Sequence, residues 1–284
     1  MKVFKIRSYA KINLALAILN KRKDGYHNIN SIMQTVSLYD IVKLKKNKKI
    51  ICKTNDISIP NDDSNLAVKA AKAFFSFLKI NSGAKISIKK KIPTNAGLAG
   101  GSSNAASVLI GLNVLYNTKL PNETLLKISS KIGSDVPFLI SGGTAFAEGK
   151  GEILTQLPTI KDYIILIAKP NFNVSTKKAY EEYDKLTKFK TNSIESLKLK
   201  IIENKKIDEL TNHMFNDFEK IFNIPIIDQI KKIMLMNNAL SSLMTGSGSA
   251  IFGIFKNFSD AKNAKKMLKK QKLKTFICVP IKKY

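Results

Sequence analysis

The stretch IPTNAGLAGGSSNAAS, residues 92–107, decides how this chain is read. It holds Gly97, Gly100 and Gly101, two adjacent serines and almost no bulky side chain. Ahead of it, AKISIKKKI (84–92) alternates apolar and polar residues, the pattern of a strand with one charged face. Behind it, SSNAASVLIGLNVLY reads as a helix. The loop therefore sits at a helix mouth, where the first backbone N–H groups lack partners and carry the positive end of the dipole. Glycines let that backbone approach an anion closely, which suits phosphate. A simple turn with a serine cap is the other reading. No Gly-Lys-Ser/Thr closes the loop, so it is not a Walker A loop. No acidic residue ends a following strand, so it is not a dinucleotide fingerprint either.

Working outward, 284 residues with 44% hydrophobic content suit a globular chain of two ordinary domains. No apolar run reaches the ~18 residues a membrane span needs. The basic N-terminus MKVFKIRSYAKINLAL is interrupted by Lys11 and Asn13 and lacks a small-residue cleavage site, so a cytoplasmic protein is expected. Cys52 and Cys278 lie far apart with no ligand-spaced neighbours, which argues against zinc and a disulfide framework. The net charge is +27, yet Arg7 and Arg22 are the only arginines. Nucleic-acid readers concentrate arginine where forked contacts matter. Lysine here is spread along the chain with Asn and Ile, and A/T-rich codons, common to all three, are the blander explanation beside nucleic-acid binding. The charge still steers anionic small substrates.

Strands are expected in 3–18 and 32–44, a helix over 65–79, and another over 122–133 with Asn122 as N-cap and Gly133 at its end. DYIILIAKP (162–170) reads as a buried strand. Residues 176–186, 193–222 and 226–240 read as helices, SAIFGIF as a strand, SDAKNAKKMLKK as a helix capped by Ser259, and TFICVPI as the last strand. That order suggests an α/β sandwich with helices on one face.

Three more features carry chemistry. In SYAKINLAL, Lys11 and Asn13 share one strand face, either a wet edge or the lining of a polar cleft. In GSDVPFLISGGTAFAEG, Asp135 opens a short helix, as a cap or as a carboxylate kept ionised by the dipole and suited to act as a general base. LMTGSGSAIFGIF is a second Gly/Ser loop, or merely a connector.

As a set, these blocks resemble the three signature motifs of the galactokinase, homoserine, mevalonate and phosphomevalonate kinase (GHMP) superfamily. With RKDGYHNINSIMQTVSLYD they fall in the right order and cover nearly the whole chain. DGYHN and GSDVPF narrow the resemblance to members that phosphorylate a cytidine-diphosphate-linked methylerythritol. The resemblance implies an α+β, two-domain GHMP kinase fold. Residues 1–158 would form an N-terminal domain like domain 2 of ribosomal protein S5, and 159–284 a C-terminal ferredoxin-like α/β sandwich.

It also implies roles. Pro93, Thr94, Asn95, Ala96, Gly97, Leu98, Ala99, Gly100, Gly101, Ser102 and Ser103 would wrap the phosphates of ATP. Asn65 and Leu66 would hold the adenine. Asp135 would be the base, with Lys11 its partner near the acceptor hydroxyl. Asn13 would place the substrate. Tyr26 and His27 would hold the cytosine, with Tyr180 against the same base, and Gly246 and Ser247 would close beside the phosphates. Mg²⁺ would neutralise the triphosphate, with Ser103 as a candidate ligand and Asp135 and Glu148 as carboxylate candidates. Lys150 would be a solvated lysine or a contact to the substrate diphosphate. A small-molecule substrate, no nucleic-acid or membrane partner, and a monomer or weak homodimer complete the expectation. Thr94, Asn95, Ala96 and Ala99 depart from the glycine run of many members. Alanine does not readily take glycine's positive φ, so slightly altered nucleotide contacts are expected.

Two other readings compete with this one. A homoserine or mevalonate kinase would have no need of Tyr26 and His27. A basic RNA-binding protein is suggested by charge, but no arginine stripe or aromatic stacking pattern accompanies it.

Overall fold

A computed structural model of the chain describes residues 3–186 and 193–282. Two long strands, β1 (Val3–Lys21) and β2 (His27–Asn47), are followed by β3 (Ile51–Thr54), α1 (Leu66–Leu78) and β4 (Gly83–Lys89). Next come α2 (Gly100–Leu115), α3 (Asn122–Ser129), α4 (Val136–Ser141), β5 (Thr144–Glu148), β6 (Ile153–Leu157) and β7 (Ile164–Lys169). Then follow α5 (Thr176–Asp184), α6 (Glu195–Ile202), α7 (Ile207–Thr211), β8 (Phe215–Asn216) and a 3₁₀ turn over Asp217–Ile221. α8 (Pro225–Met236), β9 (Ser241–Met244), β10 (Ile251–Phe255), α9 (Phe258–Lys270) and β11 (Lys274–Cys278) complete the order.

The chain forms two compact units, each discontinuous in sequence. The first comprises residues up to Ala10, Leu38–Thr94 and Ala99–Ser141; the second comprises Lys11–Ser37, Asn95–Leu98 and the chain from Gly142. In the first, β4 pairs in parallel with β3 and antiparallel with residues 41–47 of β2. α1 turns Ala67, Val68, Ala70, Ala71, Phe74 and Phe75 inward, the stripe that its 3.6-residue period predicts. It packs on α2, which is buried over most of its length and also meets α3 and α4. A helix covered on so many sides buries small polar residues, Ser103, Asn104 and Ser107, along with its apolar ones, and so lacks a clean amphipathic stripe.

In the second unit, β11-β7-β10-β9 form an antiparallel four-stranded sheet. α8 and α9 pack on it around Leu166, Ile230, Met234, Ile251, Phe255 and Leu268. β5 pairs with β6 and with Ser31–Gln34 of β2, while β8 pairs in parallel with Ala15 and Leu16 of β1.

The sequence reading needs correction at several ends. Pro121, not Asn122, precedes α3, and Asn257, not Ser259, caps α9 by accepting from the Asp260 N–H. α3 ends at Ser129, short of Gly133. Residues 215–216 are extended, drawn out by pairing with β1. β9 begins where a connector was expected, so TGSGSA joins two strands of one hairpin.

Candidate active site

The first arm of the glycine loop is anchored in the first unit by Asp40, which is fully buried. Asp40 Oδ1 accepts from the backbone N–H of Lys91 (2.7 Å) and Ile92 (2.8 Å). Its Oδ2 takes the Lys90 ammonium and, at 2.9 Å, the Asn104 side-chain amide. One carboxylate thus ties the loop's entry to the second turn of α2. Ser103 Oγ donates to the Tyr9 carbonyl at 2.6 Å and lies 2.7 Å from Ser8 Oγ, which accepts from Asn104 at 2.9 Å. With its proton on Tyr9, Ser103 retains acceptor capacity.

At the mouth of α2 the N-cap is Ala99, which offers no side-chain cap. The first-turn N–H groups therefore rely on water or a ligand. Ala99 and Asn95 both adopt left-handed backbone, with φ of 53° and 49°. Of the four departures from the glycine run, Asn95 and Ala99 thus take the backbone that glycine favours. Asparagine tolerates this region, and alanine costs about 1–2 kcal/mol there. Asn65 is the N-cap of α1: its Oδ1 accepts from Ala67 N–H at 2.9 Å and its Nδ2 donates to the Pro60 carbonyl at 2.7 Å. Leu66 lies beside Gly101 at the start of α2. Asp135 stands at the N-cap position of α4, its carbonyl accepting from Leu139 N–H at 3.2 Å.

The second unit gathers Lys11, Asn13, residues 95–98 and the hairpin loop. Lys11 and Asn13 are 4% and 2% exposed, so the wet-edge reading fails. Lys11 Nζ donates to Asn13 Oδ1 (2.8 Å), and Asn13 Nδ2 donates to Ser31 Oγ (2.8 Å). The Asn13 N–H reaches Thr245 Oγ1 at 3.1 Å. Lys11 N–H donates to the Leu98 carbonyl and Ala250 N–H to the Ala96 carbonyl, both at 3.2 Å. A Cβ on Gly246 would lie 3.2 Å from Gly97 Cα, so the two glycine loops touch backbone to backbone. Ser247 Oγ lies 2.9 Å from Thr176 Oγ1.

The DGYH turn also belongs to this unit. Tyr26 is exposed, with Lys150 Nζ 4.8 Å above its ring and within 4.0 Å of Asp24 Oδ2. His27 is buried. Its ring stacks on Tyr180, and its Nε2 lies 2.6 Å from Asp184 Oδ1. Tyr180 thus faces the imidazole, and its edge contact is Phe218. Ser31, Thr245, Asp40 and Asp184 were not anticipated. A lone Asp inside the charged run AYEEYDKL offers no signal.

Residues 65–143 match the GHMP kinases N terminal domain, and residues 202–274 match the GHMP kinases C terminal family. A 4-diphosphocytidyl-2-C-methyl-D-erythritol kinase of Caldicellulosiruptor bescii is 44% identical over 269 residues, spanning 93% of this chain and 94% of its own. The chain belongs to the GHMP kinase family. A kinase of the same name from Clostridioides difficile (strain 630) is 43% identical over 281 residues, 96% of this chain and 94% of its own. A crystal structure of 4-(cytidine 5'-diphospho)-2C-methyl-D-erythritol kinase superposes with a TM-score of 0.80 at 26% identity, covering 98% of this chain and 99% of that one. As a GHMP kinase, the chain is an ATP-dependent small-molecule phosphotransferase, and its fold is the two-domain α+β fold of the family.

The residues present fit a nucleotide triphosphate, because an uncapped helix start preceded by a side-chain-poor loop supplies N–H donors for phosphate oxygens. Among the described residues no group of three or more His, Cys, Asp or Glu could hold a metal by itself, and no helix is long and apolar enough to cross a membrane.

Proposed function

We propose that this GHMP kinase transfers the γ-phosphoryl group of ATP to the 2-hydroxyl of 4-diphosphocytidyl-2-C-methyl-D-erythritol. The products are the 2-phosphate and ADP, in the non-mevalonate route to isoprenoid precursors. The observation that carries the reading is 44% identity across 93% of the chain to a kinase named for that acceptor.

Phosphoryl transfer needs alignment and charge neutralisation above all. Residues 93–103 supply backbone donors to the phosphates, and Asn65 and Leu66 border the adenine. Asp135 accepts the acceptor's hydroxyl proton, and Lys11 stabilises the charge that develops on that oxygen. Asn13, anchored to Ser31 and Thr245, holds Lys11 in place and contacts substrate. Tyr26, His27 and Tyr180 take the cytosine end, and Gly246 and Ser247 the phosphate end. A Mg²⁺ bound with the triphosphate would need only one or two protein oxygens and would supply charge neutralisation there. The acceptor capacity left on Ser103 Oγ fits that demand.

The functional domains run 1–158 and 159–284, a division supported by each matched family segment falling wholly inside one of them. The protein works in the cytoplasm as a monomer or weak homodimer, without nucleic acid or membrane. Phosphorus-31 NMR of the reaction tests the proposal. A new phosphomonoester on the acceptor's 2-hydroxyl is expected, and ATP consumption with phosphate released only to water would overturn it.

A further inference from the structure

His27 is fixed by two contacts, a carboxylate on one nitrogen and a ring against its face. Nε2 lies 2.6 Å from Asp184 Oδ1, and Asp184 Oδ2 accepts from Lys21 Nζ at 2.6 Å. The imidazole stacks on Tyr180 with ring centres 4.7 Å apart and planes within 10°. Tyr180 is itself braced edge-on by Phe218 at 4.9 Å. The histidine is 6% exposed, and its remaining nitrogen, Nδ1, is buried with no hydrogen-bond partner among the described residues. A buried polar atom left unpaired is destabilising, so it marks a place where a ligand completes the bonding.

The protonation pattern follows from the neighbours. Burial pushes the Asp184 carboxyl up, but hydrogen bonds from Lys21 and His27 outweigh it and hold the group below the usual carboxylate range. An ionised carboxylate only accepts hydrogen bonds, so it takes the proton on Nε2. The Nε2–H tautomer carries its lone pair on Nδ1.

We propose that Asp184 is a specificity-determining residue: it locks His27 in the Nε2–H tautomer, which makes the buried Nδ1 an acceptor for the exocyclic amine of a cytosine and rejects a uracil. The inference rests on the cytidine-linked acceptor proposed above. Cytosine carries an amino group at C4 where uracil carries a carbonyl. Against Nδ1 that carbonyl would set two acceptors face to face, both desolvated. Asp184 acts through His27 and is a positioning residue. It lies on α5, 157 positions from His27, so only the fold pairs them.

The test uses Asp184→Asn in the full chain. Its amide keeps the volume but can donate to Nε2, which moves the ring proton to Nδ1 and reverses that atom's polarity. KM and kcat are measured for the cytidine-linked acceptor and its uridine-linked analogue. The wild type should prefer cytidine by about 10²-fold. In the variant the KM for the cytidine compound should rise roughly ten-fold or more. Its kcat and its KM for ATP should stay within about two-fold, and the cytidine preference should collapse. An unchanged preference overturns the inference while leaving the acceptor assignment standing. Wild-type turnover of neither acceptor overturns both. Should the variant fail to fold, nitrogen-15 NMR of the histidine-labelled wild type decides, with His213→Gln assigning the second of its two histidines. An unprotonated Nδ1 at neutral pH is expected, and a protonated Nδ1 overturns the inference.

Discussion

Gly97 and Thr245 approach so closely that no side chain fits between them: a Cβ on Gly97 would strike the Thr245 carbonyl oxygen. Gly97 also holds φ of 73°, a conformation that favours glycine. Gly97→Ala must therefore push the hairpin loop away, together with the Thr245 hydroxyl that receives the Asn13 N–H. The variant should lose roughly 2–4 kcal/mol of stability, read by urea denaturation, and most of its turnover. A variant as stable and active as wild type would show that the two loops do not need this contact.

Gly101 gives the opposite case. A Cβ there meets nothing closer than Leu66 Cδ1 at 3.7 Å, so the fold accepts it. Alanine also favours a helix over glycine by up to about 1 kcal/mol. Gly101→Ala should match or exceed wild-type stability, yet raise the KM for ATP by about ten-fold if phosphate packs against that bare turn. An unaltered KM would move the phosphates elsewhere.

Asp135→Asn keeps a good helix-capping residue while removing the base. Turnover should fall by about 10² to 10⁴, with the melting temperature within a few degrees of wild type. Wild-type turnover in the folded variant would strip Asp135 of its role.

Asp40→Ala would leave Lys90 buried without its carboxylate and release the Lys91 and Ile92 N–H groups. Breaking a buried pair from one side costs about 3–5 kcal/mol, so a large drop in the urea midpoint is expected. A drop under about 1 kcal/mol would show that water or rearrangement replaces the network.

The sequence disclosed elements whose periodicity is self-contained. α1 and the strand–loop–helix around residue 97 emerged as expected, while the capping role of Asn65 came only with the structure. The shared face of Lys11 and Asn13 was legible because strand geometry alone sets it. Whether that face was wet depended on Thr245, 232 positions away, and no local pattern encodes that distance. β9 was hidden because SSLM is too short to alternate visibly and is extended by pairing with β10. Ala99 at positive φ ran against local preference, as happens where surrounding contacts overrule a single residue. Asp184 was invisible for the same reason as Thr245: its partner is brought by the fold.

The most direct measurement is ADP release by the wild-type chain with three acceptors in turn: the cytidylated methylerythritol compound, mevalonate and homoserine. The account predicts a kcat/KM at least about 10³-fold higher for the cytidylated compound. Equal or faster turnover of mevalonate or homoserine would contradict it.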